Sequence, residues 1–472
     1  MSARARRVVV TTSYAVLGSI LCWSRLARLG GGYCCDEIAT VSNYVRAGPV
    51  TILTGSYAPN NHELFSLLGW ATSSVVGESE IALRLGAAIP FIVGAVVVTA
   101  WLHVRTSALA AILFLAFATA SPLLIDISRQ ARGYGIAFLA MGVMIVAALE
   151  ADRSGRTWAV AAFWAAGLVG TWTLPHFAIA FAATGAVLLT QRSLRIRCLV
   201  GATSSTVAVG VWYAPHFDDL AASSLQEYGS PIAARWLLTA PSDQILVPSL
   251  SLDETVVHPT LAWLIPAAAF AILVGSSPLL RRRYPALILT SGVVTTVLVF
   301  WITGTHVVPR FLSFLLVPLF VLLATGCASI LERLTSKPAL VRTAIVLATL
   351  GVFAFTSVPV LTKVTRMPRD SLRETAAVIR ENAPPVAPVY AYMPYSADLA
   401  FHLHRIVTHV TTAAEAMAVC RARGPAVYVA QPWFLPPAPI PSCMSRGGTR
   451  HFRFEQYARG GETDAWVIPA RP

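Results

Sequence analysis

The chain has 472 residues, 56% of them hydrophobic and only 12% charged, with a formal net charge of +13. Soluble domains carry about 25% charged residues, so one water-soluble core is excluded, whereas a bilayer takes up about 20 apolar residues per helical span. The positive charge does not point to nucleic acid, because it falls in short clusters between apolar runs (Arg4, Arg6 and Arg7; Arg192, Arg195 and Arg197; Arg281, Arg282 and Arg283), the pattern of cytoplasmic loops.

In chain order, span 1 (8–25) runs outward from the basic N-terminus, which is therefore cytoplasmic. It is expected to be a retained span, since no small-residue cleavage site follows it. A long outer loop, 27–80, contains an amphipathic segment at 62–77 that is short for a span and fits an interfacial or re-entrant helix. Spans 2 (81–102) and 3 (107–125) follow, then span 4 (134–150), a tight pair at 157–174 and 177–190 around Pro175 and His176, and span 7 (198–214). A second outer loop, 215–258, carries Tyr228, Trp236 and Asp243 and suits a lid or an acceptor-ordering segment. Spans 8 to 11 are expected at 260–277, 285–303, 311–330 and 340–358. The fold class is thus an α-helical polytopic membrane protein of about 11 transmembrane helices (1–359) with a small extracytoplasmic α/β domain at 360–472.

In that domain a helix is expected over 370–382, with Ser371 and Glu374 spaced as a capping box, and strands at Val389–Met393, Ala426–Ala430 and Ala465–Ile468. Cys420 and Cys443 share this segment and can pair in an oxidising compartment. Lysine is confined to Lys337 and Lys363, and the Arg, Ala and Val bias suggests a GC-rich bacterial genome, hence the bacterial inner membrane.

Uncommon polar groups gather on the outer side. Asp36 and Glu37 follow span 1; Asn61, His62 and Glu63 open the 62–77 segment; Asp126, Arg129 and Arg132 end span 3 and, if helical, share one face. His176 sits at the turn of the tight pair, and Arg310 opens span 10. Ionisable groups at membrane depth default to functional hypotheses. Each also has a structural reading: loop carboxylates, an interfacial histidine, headgroup anchors, or partners for backbone carbonyls.

Together these motifs resemble a known family. Asp36-Glu37, then Asn61-His62, then Gly77-Glu78-Ser79-Glu80-Ile81-Ala82-Leu83-Arg84-Leu85, Ser128-Arg129-Gln130-Ala131-Arg132-Gly133-Tyr134 and Pro309-Arg310-Phe311 are similar to the GT-C superfamily of polytopic membrane glycosyltransferases, close to its aminoarabinose-transferase and protein O-mannosyltransferase branch. Glu63 departs from that pattern, in which proline often follows the histidine, and so does Cys34-Cys35.

The resemblance implies transfer of a hexosyl or pentosyl group from a polyprenyl-phosphate donor to a glycan, glycolipid or protein hydroxyl, with inversion, in envelope assembly outside the membrane. Asp36 would be the base, with Glu37 the second candidate. Arg129, Arg132 and Arg310 would hold the donor phosphate, and Asn61, His62, Tyr134 and His176 would contact substrate. The resemblance fixes no cofactor; Asp126 is a candidate either to orient the arginines or to help hold a divalent ion, Mg or Mn. Two other readings compete. A secondary transporter would show internal repeats and midplane ionisable groups, which this sequence lacks. A non-catalytic envelope-assembly protein would keep the scaffold without the chemistry.

Overall fold

The computed structural model describes residues 3–33, 36–58, 61–224, 272–303, 309–333, 362, 371–393, 396–421, 424–431, 441–445, 447–455 and 462–470. It divides into two compact units. One holds the chain up to Leu29 and resumes at Thr40; the other holds Gly30–Ala39 together with the chain from Thr362 on. The acidic pair thus belongs, by packing, to the same unit as the C-terminal residues, whereas the sequence reading had assigned loop 27–80 to the membrane part. The lid expected at 215–258 lies outside the described residues beyond position 224, as do span 11 and most of span 8.

In the first unit α1 spans Ala3–Leu26, α2 Glu63–Val76, α3 Glu80–Arg105 and α4 Ala108–Ala120. After them come α5 at Pro122–Ser128, α6 at Tyr134–Ser154, α7 at Thr157–Thr173, α8 at Phe177–Leu189 and α9 at Arg195–Tyr213. The last two are α10, Arg283–Thr303, and α11, Leu316–Arg333. Among the described residues five helices are long and apolar enough to cross a membrane: Arg7–Leu26, Glu80–Arg105, Tyr134–Ser154, Arg283–Thr303 and Arg310–Arg333. The count of about 11 is not reached among them, since α4 and α8 are apolar but only 13 residues long.

Local chemistry sets several boundaries. Ser79 and Ser107 cap α3 and α4, their hydroxyls accepting from the Ala82 and Ala110 amides. Span 3 is not the single helix expected over 107–125. It stops at Ala120, and Ser121 then caps a new short helix with Pro122 at its first position. Proline is tolerated there because its missing N–H would have no partner anyway. Span 10 is likewise preceded by a tighter 3-10 stretch, Pro309–Leu315, before α11 begins.

The core of this unit is aromatic and small-residue packing, centred on Phe91, Phe114, Phe138, Phe163, Phe177, Phe314 and Phe320. Glycine permits close helix contact. A Cβ on Gly135 would lie 1.9 Å from the Ala87 carbonyl oxygen, and one on Gly94 2.9 Å from the Leu139 Cα, so α3 and α6 touch backbone to backbone. At the ends of these helices Arg105 binds both carboxylate oxygens of Glu150, at 2.7 and 3.0 Å, and the Trp101 indole adds a third donor at 3.0 Å.

The second unit is a five-stranded mixed sheet with helices. Its helices α12 (Leu372–Asn382) and α13 (Ser396–Leu403) accompany strands β1 (Val389–Tyr392), β2 (Thr408–His409), β3 (Ala426–Ala430), β4 (Arg450–Glu455) and β5 (Glu462–Ile468). The order is β2-β1-β3-β5-β4, with β1 parallel to β2 and β3, and β5 antiparallel to β3 and β4. The three expected strands are present; β2 and β4 are additions. Central β3 is buried along its whole length, as its unbroken apolar sequence requires. Leu372, Ala376, Ile379, Leu399 and Leu403 cover one face, while Val410, Val419, Tyr428 and Trp466 pack on the other, where Cys420 and Cys443 form a disulfide.

The capping box at Ser371 does not form. The Ser371 hydroxyl donates instead to Thr463 Oγ1 at 2.9 Å, because burial against β5 offers a better partner than an exposed helix end. Gly30–Ala39 joins this unit through backbone acceptors: Gly30 O takes Arg373 Nη1 at 2.7 Å and Tyr33 O takes His402 Nε2 at 2.8 Å.

Candidate functional site

A cluster of buried polar side chains lies in the first unit, around the start of α2. His62 is the residue before the helix, and its ring faces two donors: Arg132 Nη2 lies 2.9 Å from Nε2 and the Gly133 amide 3.0 Å from Nδ1. A ring already facing two N–H groups has no acceptor for a second proton. Burial first, and then the charges of Arg132, His176 and Arg310, hold its pKa well below the ordinary histidine range. His62 is therefore neutral, and Arg132 and Arg310 supply the positive charge. Tyr134 meets His62 edge-on at 5.0 Å, and the Arg132 guanidinium sits 5.0 Å from the same tyrosine ring. Glycine is required at 133, where a Cβ would come within 2.4 Å of Thr173 and 2.9 Å of His62 Nδ1.

Of the residues singled out in the sequence, His62, Arg132, Tyr134, His176 and Arg310 come together here. His176 stands among Phe300, Phe311 and Phe314, with Nε2 donating to the Phe311 carbonyl at 2.6 Å. Burial pulls its pKa down to about 4. Asn61 is spent internally: its amide nitrogen donates to Ile52 O at 3.1 Å and its oxygen accepts from Ser66 at 3.1 Å.

The shared helical face expected for Asp126, Arg129 and Arg132 does not exist, because α5 ends at Ser128 and the chain turns. Asp126 accepts from Gln130 at 2.9 Å, while Arg129 lies near enough to Arg25 for their charges to repel. Among the described residues no group of three His, Cys, Asp or Glu is placed to hold a metal ion. In the other unit, Asp36 is partly exposed and Glu37 buried, both in the first turn of a short helix, Asp36–Thr40.

Several participants escaped the sequence reading. Arg25 is fully buried, and its guanidinium donates to the Ala118 and Thr119 carbonyls that end α4 while resting on Phe91. Its signal was a basic residue at the wrong end of a span. Glu63, one of the polar groups opening the 62–77 segment and a departure from the family pattern, has no role in the sequence-based site. It is 1% exposed, accepts from the Trp212 indole N–H, and lies 3.6 Å from His216 Nε2.

Burial raises Glu63 to about 7, against which the Trp212 donor pulls weakly. A carboxyl whose pKa is raised on folding favours the native state fully below about 4.5, and that advantage is lost as pH rises through about 7. Detergent-solubilised protein is thus expected to melt at lower temperature at pH 8 than at pH 5, by an increment of about 3 kcal/mol at most. Glu63→Gln should remove that part of the decline; an unchanged pH profile would contradict the assignment.

Neither a family model nor a curated protein matches this sequence. Solved structures do. ArnT from Cupriavidus metallidurans in the apo state aligns over 98% of both chains at 14% identity, TM-score 0.56. The same enzyme bound to undecaprenyl phosphate also aligns over 98% of both, at 14% identity and TM-score 0.54. The Archaeoglobus fulgidus oligosaccharyltransferase in complex with Zn and sulfate is covered over 67% of its length by 89% of this chain, at 12% identity and TM-score 0.52. At such identities the likeness is one of fold. The chain shares the fold of these solved structures, and five of its described helices are long and apolar enough to cross a membrane.

Proposed function

We propose that the protein is a membrane glycosyltransferase that moves a sugar from a polyprenyl-phosphate donor to an acceptor hydroxyl on the outer face of a bacterial inner membrane. Its N-terminus is cytoplasmic and its C-terminal unit extracytoplasmic. The observation that carries this reading is the buried Arg132–His62–Tyr134 cluster with Arg310 close by, a cationic site beside helices apolar enough to cross a bilayer. A lipid phosphate is the ligand such a site suits: the headgroup meets guanidinium while the chain stays in hydrocarbon. The ArnT fold, in a protein whose relative was crystallised with undecaprenyl phosphate, supports the same class of donor.

In the proposed reaction a carboxylate takes the acceptor O–H proton as that oxygen attacks the anomeric carbon. The bond from that carbon to the phosphate oxygen breaks, and the polyprenyl phosphate departs with the electron pair. Arg132 and Arg310 stabilise the growing phosphate charge, which is where fixed cations contribute most. Asp36 is the candidate base and Glu37 the second, on the family resemblance. The acceptor is proposed to be an envelope glycan or glycolipid, and the sugar mannose or arabinose.

Asp36→Asn is the direct test. Transfer from a polyprenyl-phosphate-linked sugar should fall about a hundredfold or more, while binding of bare polyprenyl phosphate is retained. Full activity in the variant would remove Asp36 as the base, and failure of the wild type to bind any lipid phosphate would refute the enzyme reading.

A further inference from the structure

Beside the cationic cluster is a second group of buried polar atoms that the proposed reaction leaves unused. Glu63 and His216 are each 1% exposed. Only one Glu63 oxygen is engaged, by the Trp212 indole. The other, Oε1, has no hydrogen-bond partner among the described residues, and neither has His216 Nδ1. The two side chains do not satisfy each other. Their 3.6 Å separation is too long for a hydrogen bond, and His216 Nε2 is already directed at the Leu53 carbonyl at 3.0 Å. Leaving a carboxylate oxygen and an imidazole nitrogen buried without partners is costly, and such groups in a native fold call for an explanation.

The surroundings say what would complete them. The Trp212 ring packs against Trp172, and the Tyr57 ring stands 6.0 Å from that of His216. The Tyr213 hydroxyl is held by the Thr171 carbonyl at 2.8 Å. Indole and phenol faces beside a carboxylate and an imidazole match a sugar, with C–H faces for the rings and hydroxyl edges for the polar groups. The group also adjoins the phosphate cluster. Glu63 follows His62 in the chain, and Tyr57 feels the charges of both Glu63 and Arg132. In a glycosyl phosphate the sugar begins one bond from the phosphate oxygen, so adjacent subsites are the required spacing.

We infer that Glu63, His216 and Trp212 form the subsite that recognises the hydroxyls of the donor's neutral sugar ring, an assignment that rests on the proposed function of the neighbouring cationic cluster. Glu63 Oε1 accepts from a sugar hydroxyl, and His216 Nδ1 meets a second. This gives a purpose to a carboxylate at the position where the family pattern often has proline.

The test compares three lipids at pH 8 on full-length protein in nanodiscs: bare decaprenyl phosphate, decaprenyl-phosphate-linked mannose and decaprenyl-phosphate-linked arabinose. Wild type should bind at least one sugar-loaded lipid more tightly than the bare one. Glu63→Gln, nearly isosteric, should reduce that preference about tenfold, the size expected for a hydrogen bond to a charged group, with bare decaprenyl phosphate bound as before. His216→Phe should reduce it independently. Equal weakening of bare and sugar-loaded lipids in both variants would make the pair a packing element and overturn the subsite. Wild-type protein that binds the bare lipid but shows no preference for either sugar would overturn it too, while leaving the phosphate site standing. Wild-type protein that binds none of the three would overturn both.

Discussion

Replacing Arg132 with alanine is expected to lower sugar transfer at least a hundredfold, with kcat falling along with the apparent affinity for the donor. The guanidinium is fully buried, fixed between His62 Nε2 at 2.9 Å and the Tyr134 ring. Such a group needs no reorganisation to meet charge developing on a leaving phosphate, and removing one preorganised donor typically costs about a hundred- to a thousandfold in rate. Neutral His62 cannot replace the lost charge. Arg132→Lys keeps the charge but not the planar fork that binds two phosphate oxygens, so it should recover only part of the activity. Steady-state kinetics, with melting curves to show that each variant is folded, decide the matter. An alanine variant with wild-type kcat/KM would move the phosphate site elsewhere.

Gly135→Ala should have a large effect on folding. One methyl group there would sit 1.9 Å from the Ala87 carbonyl oxygen and 2.8 Å from its carbon. Both are backbone atoms of a capped helix and have no rotamer into which to retreat. The contact between α3 and α6 must therefore open, which loosens Phe91 against Phe138 at their crossing and costs about 1–3 kcal/mol or more. The expected result is a sharp drop in monodisperse protein on size exclusion, with a melting temperature several degrees lower. Gly18→Ala is the control: it is also inside a helix but has nothing within 4 Å of its would-be Cβ. Its expected effect is neutral to slightly stabilising, since alanine is the better helix former. Equal behaviour of the two variants would refute the packing argument.

The helices were legible because their signals are local. Apolar runs set between basic loops predict α1, α3, α6, α7 and α8 to within a few residues of where they lie. The break in span 3 was not read, although Ser121-Pro122 spells a cap followed by a first-turn proline, because hydropathy continues through it unaltered. The same break sends Arg132 toward His62 and leaves Asp126 with Gln130, so a helical spacing argument grouped the wrong residues. The Glu63 pairing was invisible for a different reason. Trp212 lies 149 residues away and His216 further still, and neither carries a local pattern that points back to α2. In the C-terminal unit the buried strands β1, β3 and β5 were found from apolar runs, while β2, two exposed residues long, offered no pattern to detect.

The burial of Arg25 bears on how the protein is made. Its guanidinium ends on the carbonyls of Ala118 and Thr119, which lie 93 and 94 residues further along the chain. A ribosome adding about 5–20 residues per second leaves the first span in the membrane for several seconds before those carbonyls exist. During that interval the guanidinium lacks the acceptors it has in the folded protein. Once α4 is present, those carbonyls tie α1 to it. α1 therefore gains these native contacts only after α4 has been synthesised.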